Sequence, residues 1–214
     1  MSERAVLISI QPKWVEKIAS GKKTIEVRKT KPKLEMPFKC YIYATWNGNR
    51  KEILVKQNGC LFCEDYRKAS GLQRASGKVI GEFVCDKVEN IFSRSRFWLN
   101  EDTLKSSCLS AEQIWDYANG AEKIYAWHIS DLKIYDKPKE LSEFYPIKPK
   151  RIEDWTNKDD CAYCKYHKWV GSMQEYVEKG KPMREKCTLG KPEPICEYTP
   201  PISRPPKSWC YVEV

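Results

Sequence analysis

Apolar and polar positions along the chain fall into short blocks, and the period within each block indicates the element it forms. AVLISI at 5–10 is an unbroken apolar run of strand length, the pattern of a strand buried on both faces. Pro12 suits the first turn of a following helix, where its missing N–H has no partner to lose. Trp14, Val15 and Ile18 share one helical stripe, and Gly21 stands where a C-terminal cap belongs. Ile25 and Val27 then alternate with Thr24, Glu26 and Arg28, giving a strand with one apolar and one polar face.

Further strands are predicted at 38–45 (FKCYIYAT), 78–89 (KVIGEFVCDKVE), 123–129 (KIYAWHI) and 132–136 (LKIYD), all rich in Tyr, Val and Ile. Several short strands in series predict a small barrel. Between them SAEQIWDYANG carries a capping box, Ser110 with Gln113, and a stop at Gly120, and therefore reads as a helix. The stretch 46–77 is a long connection with mixed signals, which in a compact domain is functional or carries small elements of its own. After 146 the composition shifts toward Pro, Lys and Cys, and SWCYVEV at the end is again strand-like. The expected organisation is an α+β barrel over 1–148, a cysteine-rich module over 149–202, and a strand within 203–214 that returns to the barrel.

Composition narrows the class. Charged residues make up 31% and aromatics 12% of the 214 residues, which fits a folded, soluble domain rather than a disordered chain. There is no apolar run of about 18 residues and no signal-peptide pattern, so the expectation is a cytoplasmic protein that neither crosses a membrane nor is exported. The net charge is +9, and residues 1–39 hold ten lysines and arginines against four glutamates. A face this basic either keeps the protein soluble or attracts a polyanion, because neutralising phosphates releases condensed counterions.

Ten cysteines without a secretory signal argue for reduced thiols, some of them metal ligands, rather than disulfides. Cys161 and Cys164 form a C-x2-C knuckle, and Cys187 and Cys196 follow beyond a capped helix expected over 172–180. Four thiolates suit a tetrahedral structural zinc, with His167 or Cys210 as competing ligands. A segment with so few aliphatic residues has little else to fold around, and zinc can supply about 10 kcal/mol or more of folding energy. The alternative is a set of free thiols in a Pro-rich tail. Cys60 and Cys63 make a second C-x2-C with no partner knuckle, either half of a site or a turn with two thiols, and Cys40 and Cys85 read as core residues.

The basic strand carries the most specific signal. Gly21, Lys23, Glu26 and Arg28 fit G-x-K-x-x-E-x-R, immediately after the strand and helix of LISIQPKWVEKIAS. With GKVIGEFVCDKV and AWHISDLKIYDKPKEL downstream, the chain resembles the ASCH domain, the activating signal cointegrator homology family of PUA-like barrels, over residues 5–146 and 203–214. The resemblance implies a closed or nearly closed barrel, flanked by short helices, with a cleft where the Lys, Glu and Arg of the motif converge, and RNA or a nucleotide as ligand. A bacterial branch of the family hydrolyses the amide of an acetylated cytidine nucleoside, using a threonine where this chain has Glu26, so that nucleophilic scheme does not carry over.

The residues allow two classes of function. As a binding module, Arg28 would grip a phosphate bidentately, Glu26 would accept from the exocyclic amine of a base, Lys23 would add a point charge, and Trp46 or Trp127 would stack the base. As an enzyme on RNA or a modified nucleoside, Lys23 would stabilise developing negative charge and Glu26 would act as acid or base. Glu26 and Arg28 also share a strand face and can form a structural ion pair. A protein of the nucleic-acid machinery would dock on the same surface. His128 lacks a visible catalytic partner and reads as structural.

Overall fold

The computed structural model describes residues 4–46, 52–93, 96–97, 99–147, 167–170, 184–187 and 202–213. The chain divides into two compact units, 1–145 together with 201–214, and 146–200. The first unit begins with strand β1 (Arg4–Ile10), helix α1 (Pro12–Ala19) and strand β2 (Ile25–Arg28), followed by β3 (Phe38–Ala44). The stretch 46–77 holds β4 (Glu52–Gln57), β5 (Cys60–Asp65) and β6 (Gln73–Arg74). Next come β7 (Val79–Cys85), β8 (Val88–Ser93), β9 (Arg96–Phe97), helices α2 (Glu101–Ser107) and α3 (Ala111–Ala118), β10 (Lys123–His128) and β11 (Ser130–Lys139).

In the second unit the described residues form one antiparallel pair, β12 (His167–Val170) with β13 (Arg184–Cys187), in which His167 stands opposite Cys187. Cys161, Cys164 and Cys196, and the helix expected over 172–180, lie outside the described residues. Strand β14 (Trp209–Glu213) belongs to the first unit and pairs antiparallel with β1.

The strands of the first unit form sheets, but among the described residues the ladder does not close into a barrel. One sheet runs β11-β7-β3-β1-β14 and another β2-β10-β8-β9. The chain passes directly from one sheet to the other at 85–88 and at 128–130. Strand β14 is tied through its side chains to the segment that follows β2: Trp209 Nε1 donates to Thr30 Oγ1 at 3.0 Å, and the Lys33 amide donates to the Tyr211 hydroxyl at 2.7 Å.

Between the sheets lies the main core, with Val6, Ile8 and Ile10 from β1, Cys40 and Ile42 from β3, Ile80 and Phe83 from β7, and Trp127 from β10. Helices α2 and α3 lie over the outer face of the smaller sheet, where Ile114 and Ala118 join Ile25, Val27, Ile124 and Ala126. Close packing at the β7–β11 edge requires Gly81, because a Cβ there would run into the Lys133 carbonyl oxygen.

The long connection is a small sheet, ordered β5-β4-β6. Asn58 and Gly59 turn the β4–β5 hairpin with positive φ at both positions, as a two-residue turn of this kind needs. Cys60 and Cys63 therefore sit on a strand rather than in a knuckle, Cys60 exposed and Cys63 half-buried, and burial pushes the Cys63 thiol up to about 12. Among the described residues no cluster of His, Cys, Asp or Glu is placed to hold a metal ion. No helix of the described residues is long and apolar enough to cross a membrane.

Candidate functional site

The polar face of β2 points inward. Strand β10 pairs with β2 so that Trp127 stands opposite Glu26 and Tyr125 opposite Arg28, and cross-strand partners project to the same side. Glu26 and Arg28 thus share the face of the core residue Trp127, while Ile25 and Val27 face the helices. All four residues of β2 are buried, and so is Lys23 just ahead of it.

The three motif charges meet there. Lys23 Nζ lies 3.4 Å from Glu26 Oε2, and an Arg28 terminal nitrogen lies 3.0 Å from Glu26 Oε1. Each cation is also anchored to the backbone: Lys23 donates to the Ser107 carbonyl at 2.7 Å and Arg28 to the Ser9 carbonyl at 2.6 Å. Ser107 closes α2, where the last carbonyls have no helical partner and favour a cation. Two positive groups and one negative leave an excess of one positive charge at the site. Arg28 Nε is buried and has no hydrogen-bond partner among the described residues.

These groups form one end of a cleft of about 610 Å³, a volume suited to a small organic ligand. Trp14 of α1 lines it, and so do Gln113 and Tyr117 of α3 and Thr45 just after β3. A strap, Pro205–Ser208, completes the wall. The strap is fixed at Ser9, whose hydroxyl donates to the Pro206 carbonyl at 2.7 Å and whose amide donates to the Ser208 carbonyl at 2.8 Å. Arg28 also reaches the Ser208 hydroxyl at 3.4 Å.

Two aromatic rings stand in the wall with lysines over them. The ammonium groups of Lys13, Lys17 and Lys23 lie 5.0, 5.0 and 5.4 Å from the Trp14 ring centroid, and that of Lys29 lies 5.2 Å from the Tyr117 ring. Burial pushes the Tyr117 phenol up, with Arg28 opposing and Glu26 reinforcing the shift, so Tyr117 presents a neutral hydroxyl. Lys207 of the strap is exposed and adds a further positive charge.

The structure thus brings Lys23, Glu26 and Arg28 together and separates both tryptophans singled out from the sequence. Trp127 is fully buried, its ring packed against Phe38 and Trp209 with centroids 5.9 Å away in each case, so no base can stack on it. Trp46 is 42% exposed and is not among the cleft-lining residues. His128 faces Glu89 at 3.0 Å, also away from the cleft lining. Sequence reasoning missed Trp14, Tyr117 and the strap. Trp14 reads as core from its helical stripe, and only its company of lysines in KWVEK hinted at a position on the rim.

Comparison with known proteins gives one family. The family model described as "ASCH domain" matches residues 8–181. Among solved structures, the chain is similar to the crystal structure of ASCH from Zymomonas mobilis, at 23% identity over 64% of this chain and 73% of that one, with a TM-score of 0.40. A mutant of the same Zymomonas mobilis protein matches at 23% identity over 66% and 78% of the respective chains, with a TM-score of 0.44. Comparison with curated proteins gives no match. Among the described residues the fold is mixed α+β, mostly strands with three short α-helices, and the chain belongs to the ASCH domain family.

Proposed function

We propose that the cleft binds RNA or a nucleotide, with one nucleotide unit held between the aromatic walls over Lys23, Glu26 and Arg28. The observation that carries this reading is the uncompensated positive charge of the buried triad in a cleft walled by Trp14 and Tyr117. An anionic group offsets the excess charge, while an aromatic base matches the walls. In this reading Glu26 braces the two cations. A binding role is favoured over hydrolysis because each Glu26 oxygen is already engaged by a cation, and the buried Thr45 hydroxyl in the cleft has no base beside it among the described residues.

The test is equilibrium binding of nucleoside 5′-monophosphates and short single-stranded RNA at several salt concentrations. With two phosphate contacts, affinity for RNA should fall roughly 7-fold between 50 and 200 mM salt. Lys207→Ala, an exposed change, should weaken binding and flatten this dependence while leaving the melting temperature unchanged. Affinity indifferent to salt would reject the reading.

We also propose a structural zinc held by Cys161, Cys164, Cys187 and Cys196. What supports it is the ligand chemistry of these residues and the shortage of aliphatic side chains around them. Metal analysis of the purified protein should find zinc at about one ion per chain, lost on Cys161→Ser. Metal-free protein with an unchanged fold would exclude it.

A further inference from the structure

Beyond the cleft lining the chain keeps another aromatic and cation pair in the open. Trp46 is 42% exposed, and the guanidinium carbon of Arg74 lies 4.4 Å from its ring centroid. The backbone holds both in place. Arg74 belongs to β6, in register with Val55 of β4. Just ahead of Trp46, the Thr45 amide donates to the Ile10 carbonyl at 2.8 Å, and the Gly77 amide donates to the Ala44 carbonyl at 2.7 Å. An indole left this open forgoes burial, and the exposed arginine laid over it keeps a positive charge at the same spot. The pair adjoins the cleft, since Thr45 lines it and the Thr45 hydroxyl is buried without a partner among the described residues.

We infer that Trp46 and Arg74 form a flanking subsite for single-stranded RNA, so that the cleft's ligand is a strand rather than a free nucleotide. The inference rests on the reading of the cleft proposed above. One nucleotide enters the cleft and its neighbour stacks on Trp46. The phosphate between them meets the exposed Arg74 guanidinium. Stacking on an indole tolerates any base, so this subsite contributes affinity and length preference rather than sequence choice.

The experiment compares nucleoside 5′-monophosphates with hexanucleotides of the same base, using wild type, Trp46→Ala, Trp46→Phe and Arg74→Ala. Wild type should bind the hexanucleotide about tenfold or more tightly than the monophosphate, because the second contact is made within one ligand. Trp46→Ala should weaken hexanucleotide binding roughly 5- to 150-fold and change monophosphate binding by less than about twofold, and Trp46→Phe should recover most of the loss. Arg74→Ala should reduce hexanucleotide affinity and its salt dependence together. Hexanucleotides bound no better than monophosphates, or unaffected by Trp46→Ala, would overturn the inference while leaving the cleft reading in place. Failure of wild type to bind either probe would remove both.

Discussion

Glu26→Gln is expected to destabilise the first unit by about 3–5 kcal/mol, the usual cost of leaving the remaining partners of a buried ion pair uncompensated. Two cations lose their counter-charge at once, since Lys23 and Arg28 both lie against this carboxylate and both are buried. In a thermal melt the midpoint should fall by roughly 6–20 °C, given the usual 2–4 °C per kcal/mol for a chain of this size. Removing all three charges in Lys23→Met/Glu26→Leu/Arg28→Met should be far less damaging, because no unpaired charge remains buried, but it should abolish binding. That contrast separates the structural share of the triad from its ligand-facing share. A melting temperature for Glu26→Gln within about 2 °C of wild type would show that the carboxylate does not brace the cations. Loss of binding in Glu26→Gln alone therefore does not mark Glu26 as a group that touches the ligand.

Trp127→Ala should be comparably destructive for a different reason. The side chain fills the centre of the core beside Phe38 and Trp209, and truncating a buried aromatic costs about 3–5 kcal/mol through lost transfer energy and the cavity left behind. Trp127→Phe should cost much less, since most of the volume stays and the buried indole N–H, which has no partner among the described residues, is removed. Ligand affinity of the Phe variant should match wild type. Trp14→Ala should do the reverse, lowering affinity by about 1–3 kcal/mol for a lost stacking contact while shifting the melting temperature little, because the ring is only half-buried. Chemical denaturation and ligand titration on the same samples distinguish the two. Weak binding by a fully folded Trp127→Phe would return Trp127 to the ligand site.

How much was legible follows from what each signal depends on. Strand β1, helix α1 and strand β2 come from local periodicity and local punctuation: Pro12 at the helix start, Gly21 after it, and alternation from Ile25 to Arg28. Helix α3 was legible for the same reason, its Ser110–Gln113 capping box being formed by residues of its own first turn. Helix α2 carries a local cap too, the Thr103 amide donating to the Asn100 side chain at 2.7 Å with Glu101 and Asp102 in the first turn, but its seven residues are too short for a clear apolar stripe. The Asn58–Gly59 turn is likewise a local signal for the hairpin inside 46–77.

Alternation alone places Glu26 and Arg28 on one strand face opposite Ile25 and Val27, because side chains alternate with a period of two in any strand. It could not determine which face is covered by what. That was decided by pairing with β10, a strand from the far half of the chain, which sets Trp127 against Glu26 and turns the charged face into the core's open end. Tertiary structure likewise decided that Trp14 lines the cleft while Trp127 fills the core, and that Ser107, Ser9 and Ser208 receive the motif's cations. Residue identity fixes what a side chain can donate, accept or stack upon. Long-range pairing and packing fix which partner it meets, and no local pattern carries that information.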